Sequence, residues 1–485
     1  MPVNSGTLDA VRNRSAVLIG GEWVAAASGV LTDVRNPADD TVIGRVPHMD
    51  AGDVDFAVSI AERAQRDWRR VPAKERATLI RRWTELVVAN TEELAVLLST
   101  EQGKPLREAR TEIAQTVSYL EWYAEEARRI YGEVIPANTA DRRLHVTREP
   151  VGVVGIITPW NFPSSMIARK AGAALAAGCT VVIKPAAETP FSAIALAQLA
   201  AEAGIPAGVV NVVTGSGSVV GGALTANPAV RKVSFTGSTE VGRSIARDSA
   251  ETLKRVTLEL GGNAPLIVFE DADLDRAVAG AIASKFRNAG QTCVATNRIY
   301  VQSSIADAFA ERFAAAAAAL VVGDGLAEGT DIGPVINRSA LESISSVVDS
   351  ARDGGARVVT GGTADRLFYA PTVVLDVHDD MEIVRAETFG PVAPISTFET
   401  EEEVLERANA TPYGLAAYFY TADLARSIRV AEGLEFGMVG VNESLVATEV
   451  APFGGVKHSG YGREGSSHGI DDYVSMKYVC IGGLT

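Results

Sequence analysis

Several side chains able to do chemistry stand at the ends of apolar runs in this chain. Cys293 lies in FRNAGQTCVATN (286–297), next to the polar residues Gln291, Thr292 and Asn297. A cysteine there is either a small core hydrophobe or a thiolate nucleophile, and its polar neighbours weaken the core reading. Glu259 closes the run VTLE and is followed by Gly261 and Gly262. A carboxylate beside a glycine pair either caps a turn or works as a base in a confined site. Lys184 follows TVVI and precedes Pro185; an ammonium there is a solvated strand end or a ligand contact at the carboxyl edge of a parallel sheet.

Two glycine junctions accompany them. In VVTGSGSVVGG, Gly215 and Gly217 follow a strand but lack the usual third-glycine spacing of a dinucleotide fingerprint. In VSFTGSTEVG, Gly237 and Ser238 open a helix, where backbone N–H groups can face a phosphate. Together they favour a nucleotide cofactor without identifying it. The histidines (48, 145, 378, 458 and 468) are scattered, so no metal site is expected. Cys179, Cys293 and Cys480 contain no C-x-x-C pair, which argues against a disulfide framework or structural zinc.

These residues need a scaffold. At 485 residues the chain is long enough for two or three domains. Its hydrophobic fraction of 47% and charged fraction of 22% suit a globular protein. A formal charge of -15 with no basic tract disfavours a nucleic-acid partner. The first residues lack a signal-peptide core, and the alanine-rich runs are shorter than a membrane span, so a cytoplasmic location and no membrane partner are expected. Helical periodicity fills 51–131, and 142–152 reads as strand or hairpin. From 153 onward apolar strands alternate with helices: GVVGIITP, SSMIARKAGAALAAG, CTVVIKP, FSAIALAQLAAEAG, GVVNVVTG and RKVSFTG. This pattern gives an α/β fold with a parallel sheet, and LELGGNAPLIVFED begins a second α/β run to about 440. DYVSMKYVCIGG reads as a terminal strand.

The ordered set TPWNFP (158–163), VVIKPA (181–186), FTGSTEVG (235–242), LELGG (258–262), GQTC (290–293), ETFGPV (387–392) and PFGGVKHSG (452–460) resembles the aldehyde dehydrogenase superfamily over nearly the whole chain. The resemblance implies a cofactor domain from 1–130 and 151–260 with part of 441–469. It also implies a catalytic domain from 261–440 and a β oligomerisation element from 131–150 and 470–485. By the same resemblance Cys293 is the nucleophile, Glu259 the general base, and Asn161 with the Cys293 N–H the oxyanion hole. Lys184 contacts the adenosine ribose and Glu387 the nicotinamide ribose. Thr158, Pro159, Trp160, Ala187, Gly217, Phe235, Gly237, Ser238 and Phe389 line or support the NAD or NADP cleft. Such residues suit addition of a thiolate to an aldehyde, hydride transfer, and hydrolysis of the resulting thioester.

Within the superfamily, KFRNAGQTCVATNR and DYVSMKYVCIGGL are most similar to succinate-semialdehyde dehydrogenases. Arg169 and Arg287 match the arginines that grip the distal carboxylate there. A serine that usually assists them is Ala447 here, with Thr448 adjacent, which keeps glutarate semialdehyde or a broader aldehyde range open. Ala295 replaces the second cysteine of some relatives, so a local disulfide switch is not expected. NAD-preferring relatives place Glu where this chain has Ala187, which predicts that NADP is accepted. Glu259 favours hydrolysis over acyl transfer to coenzyme A, and the arginines disfavour a betaine-type aldehyde. A purely structural, oligomeric binding protein would not require Cys293, Glu259 and Asn161 together. The edge-strand extension implies a homodimer or homotetramer.

Overall fold

The computed structural model describes residues 11–484. A six-stranded sheet runs in the order Gly460–Tyr461, Arg255–Glu259, Val230–Thr236, Val153–Ile157, Thr180–Lys184, Val210–Val212. Its five longer-range α/β strands are parallel, and only Gly460–Tyr461 pairs antiparallel, against Arg255–Glu259. Val153–Ile157 and Thr180–Lys184 are buried throughout, as expected for continuous β-branched runs covered by helices on both faces. The strand order reverses beside Val153–Ile157, which opens a crevice at the carboxyl edge, where α/β sheets bind ligands. Lys184 and Glu259 end two of these strands, and Gly237 directly follows a third.

A second sheet of seven strands runs Arg357–Thr360, Thr372–Leu375, Val392–Phe398, Thr296–Gln302, Ala264–Val268, Ala416–Tyr420, Met438–Val441. Only Arg357–Thr360 is antiparallel to its neighbour. The link from Glu259 to Ala264 is four residues long, so the chain steps from the carboxyl edge of one sheet to the amino edge of the other. Cys293 lies just before Thr296–Gln302, and Glu387 just before Val392–Phe398, both at that amino edge. The two sheets therefore bring Glu259, Cys293 and Glu387 to one seam.

Four helices, Ala51–Trp68, Ala73–Ala89, Thr91–Gln102 and Leu106–Glu126, fill the region of helical periodicity. Helix Ser165–Ala177 is buried at all thirteen positions, including Arg169 and Lys170, and ends at Gly178 with φ 93°. The strands Glu133–Ile135, Arg143–Pro150 and Val474–Ile481 form a separate antiparallel sheet, with Val474 opposite Pro150 and Ile481 opposite Arg143. Val134, Met476 and Tyr478 are exposed on it. Strands before residue 50 were not anticipated from periodicity. Val17–Ile19 and Glu22–Val24 pair through Gly20 and Gly21, at φ 65° and 83°, a glycine turn that the short LIGGEWV pattern signals. Among the described residues, no helix is long and apolar enough to cross a membrane.

Candidate active site

The loop before Cys293 is held in an unusual backbone shape. Asn288 (φ 52°), Ala289 (φ 55°) and Gly290 (φ 71°) are consecutive left-handed residues, a conformation that costs free energy without a glycine. The surroundings fix it. Asn288 N donates to Glu108 Oε2 at 2.8 Å, Asn288 Nδ2 to the Asn161 carbonyl at 3.0 Å, and Ile336 N to Gln291 Oε1 at 2.9 Å. Gly290 is needed for space as well, since a Cβ there would lie 2.1 Å from the Gly390 carbonyl oxygen.

Cys293 emerges from this loop half-buried and as a free thiol. Burial pushes its thiol up to about 12, the Glu387 and Glu259 carboxylates add to this, and Arg169 and Arg287 oppose it. The resting group is thus a protonated thiol. Asn161 is buried, and its Nδ2 donates one N–H to the Gln291 carbonyl at 3.0 Å. The amide carries a second N–H, which is the donor available to a ligand oxygen.

Glu259 is buried and neither carboxyl oxygen has a hydrogen-bond partner. Burial raises its pKa well above the ordinary range, neighbouring Glu464 raises it further, and Lys170 and Arg169 pull it down. Lys170 and Glu464 form a buried ion pair. Space for the Glu259 carboxyl exists because position 454 is glycine; a Cβ there would meet Oε1 at 3.0 Å.

Arg169 is 4% exposed, yet its Nε and Nη1 have no acceptor. Its guanidinium lies between two rings, 4.6 Å from Tyr119 and 4.4 Å from Phe453. The rings stabilise the cation but leave in-plane donors unused, which is the arrangement a carboxylate would complete. Arg287 faces the Phe162 ring at 5.3 Å and lines a cavity of about 240 Å³ with Glu108, Phe162 and Leu445. Thr448 directs its hydroxyl to Glu449 Oε2 at 3.2 Å, while its carbonyl accepts from Tyr119 Oη. Its hydroxyl is already engaged. Ala447 is half-buried against the same apolar cluster as Cys293.

Across the seam, the cofactor candidates line the carboxyl edge of the first sheet. Thr158 N donates to the Lys184 carbonyl at 3.1 Å, and its buried hydroxyl has no partner. Pro159 is half-buried beside it, and Trp160 meets Phe389 edge-on at 5.6 Å. The Lys184 ammonium is depressed by burial; its Nζ would lie 3.8 Å from a Cβ at Gly217, so it sits by the first turn of helix Gly217–Ala226. Gly237 packs on Phe235, where a Cβ would fall 2.5 Å from the ring, and its N–H donates to the Glu259 carbonyl at 3.1 Å. Ser238 caps helix Thr239–Ala250 through Val241 N. Ala187 is exposed and, with Glu188 and Arg338, lines a cavity of about 450 Å³. Glu387 Oε1 accepts from Gly262 N at 3.1 Å; burial raises its carboxyl to about 7, against that bond and Lys285. An orphaned hydroxyl at Thr158, an open glycine turn beside Lys184 and a carboxylate at the seam form a donor and acceptor set that suits a dinucleotide.

Sequence reading missed Lys104, Glu112, Lys170, Glu464 and Lys285. A signal existed for Lys170: it and Arg169 are the only charges in SMIARKAGAALAA, a helix with no polar face. Among the described residues, no group of three or more His, Cys, Asp or Glu side chains is placed to hold a metal.

Comparison with known proteins gives consistent matches. The aldehyde dehydrogenase family model matches residues 23–479. The chain is 54% identical over 472 residues to an NADP+-dependent succinate-semialdehyde dehydrogenase of Escherichia coli, covering 97% of this chain and 98% of the relative. It is also 54% identical over 474 residues to a glutarate-semialdehyde dehydrogenase of Pseudomonas putida, covering 98% and 99%. The crystal structure of an E. coli NADP-dependent enzyme superposes with a TM-score of 0.97 at 53% identity, covering 99% of this chain and all of that one (100%).

Proposed function

Because the chain belongs to the aldehyde dehydrogenase family, we propose that it oxidises a semialdehyde with NADP+ or NAD+, most directly succinate semialdehyde to succinate. The observation carrying the substrate class is Arg169, a buried guanidinium with two donor nitrogens unused. A neutral aldehyde would leave that cation unpaired, whereas a carboxylate at the far end of the substrate completes it. Succinate semialdehyde is the first candidate because KFRNAGQTCVATNR and DYVSMKYVCIGGL resemble the succinate-semialdehyde dehydrogenases. Ala447 and the engaged hydroxyl of Thr448 favour glutarate semialdehyde as the second reading, because the usual serine contact is missing. The relatives named for both acids are equally similar to this chain.

The residues divide the work as follows. The Cys293 thiol gives its proton to ionised Glu259, which passes it to solvent, and Sγ attacks the aldehyde carbon; the oxygen that becomes negative is held by the free N–H of Asn161 Nδ2 and by the Cys293 N–H. Loss of one such donor costs about 3 kcal/mol, or a hundredfold in rate. A nicotinamide cofactor, when bound, supplies the hydride acceptor; Lys184 holds its adenosine end and Glu387 its nicotinamide ribose. Trp160, Phe235 and Phe389 bound the cleft. Glu259, in its ionised form, removes a proton from the water that cleaves the thioester, and the positive charges of Lys170 and Arg169 favour that form. Arg169 and Arg287 orient the substrate throughout, with Thr448 as an adjunct only if its hydroxyl turns from Glu449.

The sheet pattern supports a division into a cofactor domain (1–130, 151–260 and part of 441–469), a catalytic domain (261–440) and a bridging element (131–150 and 470–485). Exposed Val134, Met476 and Tyr478 on the bridging sheet support a homodimer or homotetramer. A cytoplasmic setting suits an enzyme that needs a reduced Cys293. The test of the substrate is kcat/KM for succinate semialdehyde against butanal, with each cofactor, in the native protein and in Arg169→Leu. A preference above about a hundredfold that collapses in the variant is expected, equivalent to roughly 2.7 kcal/mol. Equal rates for the two aldehydes in the native protein would overturn the carboxylate clamp.

A further inference from the structure

Lys285 lies in the last turn of the helix Leu274–Phe286 and is fully buried. Its Nζ reaches one hydrogen-bond acceptor, Asn297 Oδ1 at 3.4 Å. An ammonium removed from water with a single long contact is costly unless an opposite charge compensates it. A methionine would fill the same space without that cost. Burial lowers the Lys285 ammonium to about 7, and Glu387 attracts it from beyond ion-pair distance.

Asn297 joins Lys285 to the Glu387 loop. Its Oδ1 accepts from Thr388 N at 3.3 Å, and its Nδ2 donates to the Ala386 carbonyl at 3.0 Å. One amide therefore grips the backbone on both sides of Glu387. The same Nδ2 donates to Asn263 Oδ1 at 2.9 Å, and Asn263 Nδ2 donates to the Val384 carbonyl at 2.8 Å. Asn297 stands four residues after Cys293, on the strand that the nucleophile loop feeds. Two glycine contacts tighten the same seam. Gly290 packs on the Gly390 carbonyl, and Gly262, whose N–H binds Glu387, packs on the Cys293 carbonyl at 2.5 Å from where a Cβ would stand.

We propose that Lys285, acting with Asn297, is a positioning residue that holds the Glu387 carboxylate over Gly262 and keeps the cofactor-ribose contact in register with Cys293. This rests on the reading above in which Glu387 holds the nicotinamide ribose. Lys285 touches neither substrate nor cofactor; it acts through Glu387.

The test compares Lys285→Met, Asn297→Ala, Glu387→Gln and the Lys285→Met/Glu387→Gln double variant of the full chain. Binding of NADP+ and NAD+ is measured by calorimetry, with KM for each cofactor and for succinate semialdehyde. Alkylation of Cys293 by iodoacetamide without cofactor reports that the site is folded. Lys285→Met is expected to weaken both cofactors about tenfold, as for loss of the hydrogen bond that fixes Asn297 against the Glu387 loop, with KM for the semialdehyde changed far less. The double variant should bind cofactor no worse than Glu387→Gln alone, because the lysine has nothing left to position. If Lys285→Met does not fold, Asn297→Ala carries the same comparison. Native cofactor affinity in Lys285→Met and Asn297→Ala, alongside a loss in Glu387→Gln, would overturn the positioning role while leaving Glu387 as a ribose contact. Native affinity in Glu387→Gln would remove the role of Glu387 itself, and this inference with it.

Discussion

Lys104 Nζ donates to the backbone carbonyl of Asn161 at 2.7 Å, across 57 positions of sequence. The same ammonium pairs with Glu112 at 2.6 Å, with both side chains buried. Glu112 Oε1 in turn accepts from Ser164 N and Ser165 N, at the start of the helix that carries Arg169 and Lys170. One buried ion pair thus sets the height of the amide donor and the entry of the helix bearing the arginine.

Breaking that pair from one side should be severe. Lys104→Met leaves Glu112 buried and uncompensated, at a cost of about 3–5 kcal/mol. The urea midpoint followed by tryptophan fluorescence should fall accordingly. Pairing it with Glu112→Leu removes the orphaned charge and should recover part of the loss. An unchanged midpoint in Lys104→Met would show that the pair carries no such weight.

The charges around Cys293 predict opposite effects of two substitutions on its reactivity. With the thiol pushed up to about 12 in the cofactor-free protein, alkylation by iodoacetamide should rise about tenfold per pH unit from 7 to 10 without a plateau. Glu387→Gln removes a charge that raises the thiol and should speed the reaction at fixed pH. Arg169→Leu removes one that lowers it and should slow the reaction. A plateau near neutrality, or the reverse pair of signs, would contradict this electrostatic picture.

The alternating strands were legible from local pattern, a hydrophobic run closed by a polar residue or glycine; Cys293, Glu259 and Lys184 stood out there only as candidates, and their roles came from the resemblance. What organises them was not legible. Lys170 finds Glu464 across 294 positions, and Asn288 N finds Glu108 across 180. Those partners are fixed by how the helices dock on the sheet, which no local window contains. Lys285 is the sharpest case. It stands in the last turn of its helix, and only the fold buries it beside Asn297, which grips the Glu387 loop. Thr448 shows the converse: its position is legible, but the direction of its hydroxyl depends on Glu449.

Glu101 gives a pH signature outside the active site. It accepts from Phe191 N at 2.8 Å and Ser192 N at 2.9 Å, capping the helix Pro190–Glu202, and burial nevertheless raises its carboxyl from 4.5 to about 7. The folded state therefore binds this proton more tightly than the unfolded state. Its contribution is greatest below pH 4.5 and falls as pH rises toward 7, by roughly 3 kcal/mol in all. Glu101→Gln lacks this titration. Its urea midpoint should fall less between pH 5 and pH 7.5 than that of the native protein. Parallel midpoints in the two proteins would exclude a raised Glu101.

Cofactor choice should respond to one side chain at the rim of the adenosine end. Lys184 Nζ lies beside Gly217, and exposed Ala187 offers no negative charge there. A 2'-phosphate can then pair with the ammonium, opposed by Glu188, a group that already acts on Lys184. Ala187→Glu adds a carboxylate that bonds ribose hydroxyls but repels a phosphate, so kcat/KM with NADP+ should fall at least about tenfold relative to NAD+. Lys184→Ala should also hurt NADP+ more than NAD+, since only NADP+ loses a counter-charge in addition to a hydrogen bond. If neither substitution moves the ratio, the phosphate is not held at this rim. A native preference of about a hundredfold for NAD+, worth roughly 2.7 kcal/mol, would mean that Glu188 already supplies the repulsion assigned here to the missing side chain at 187.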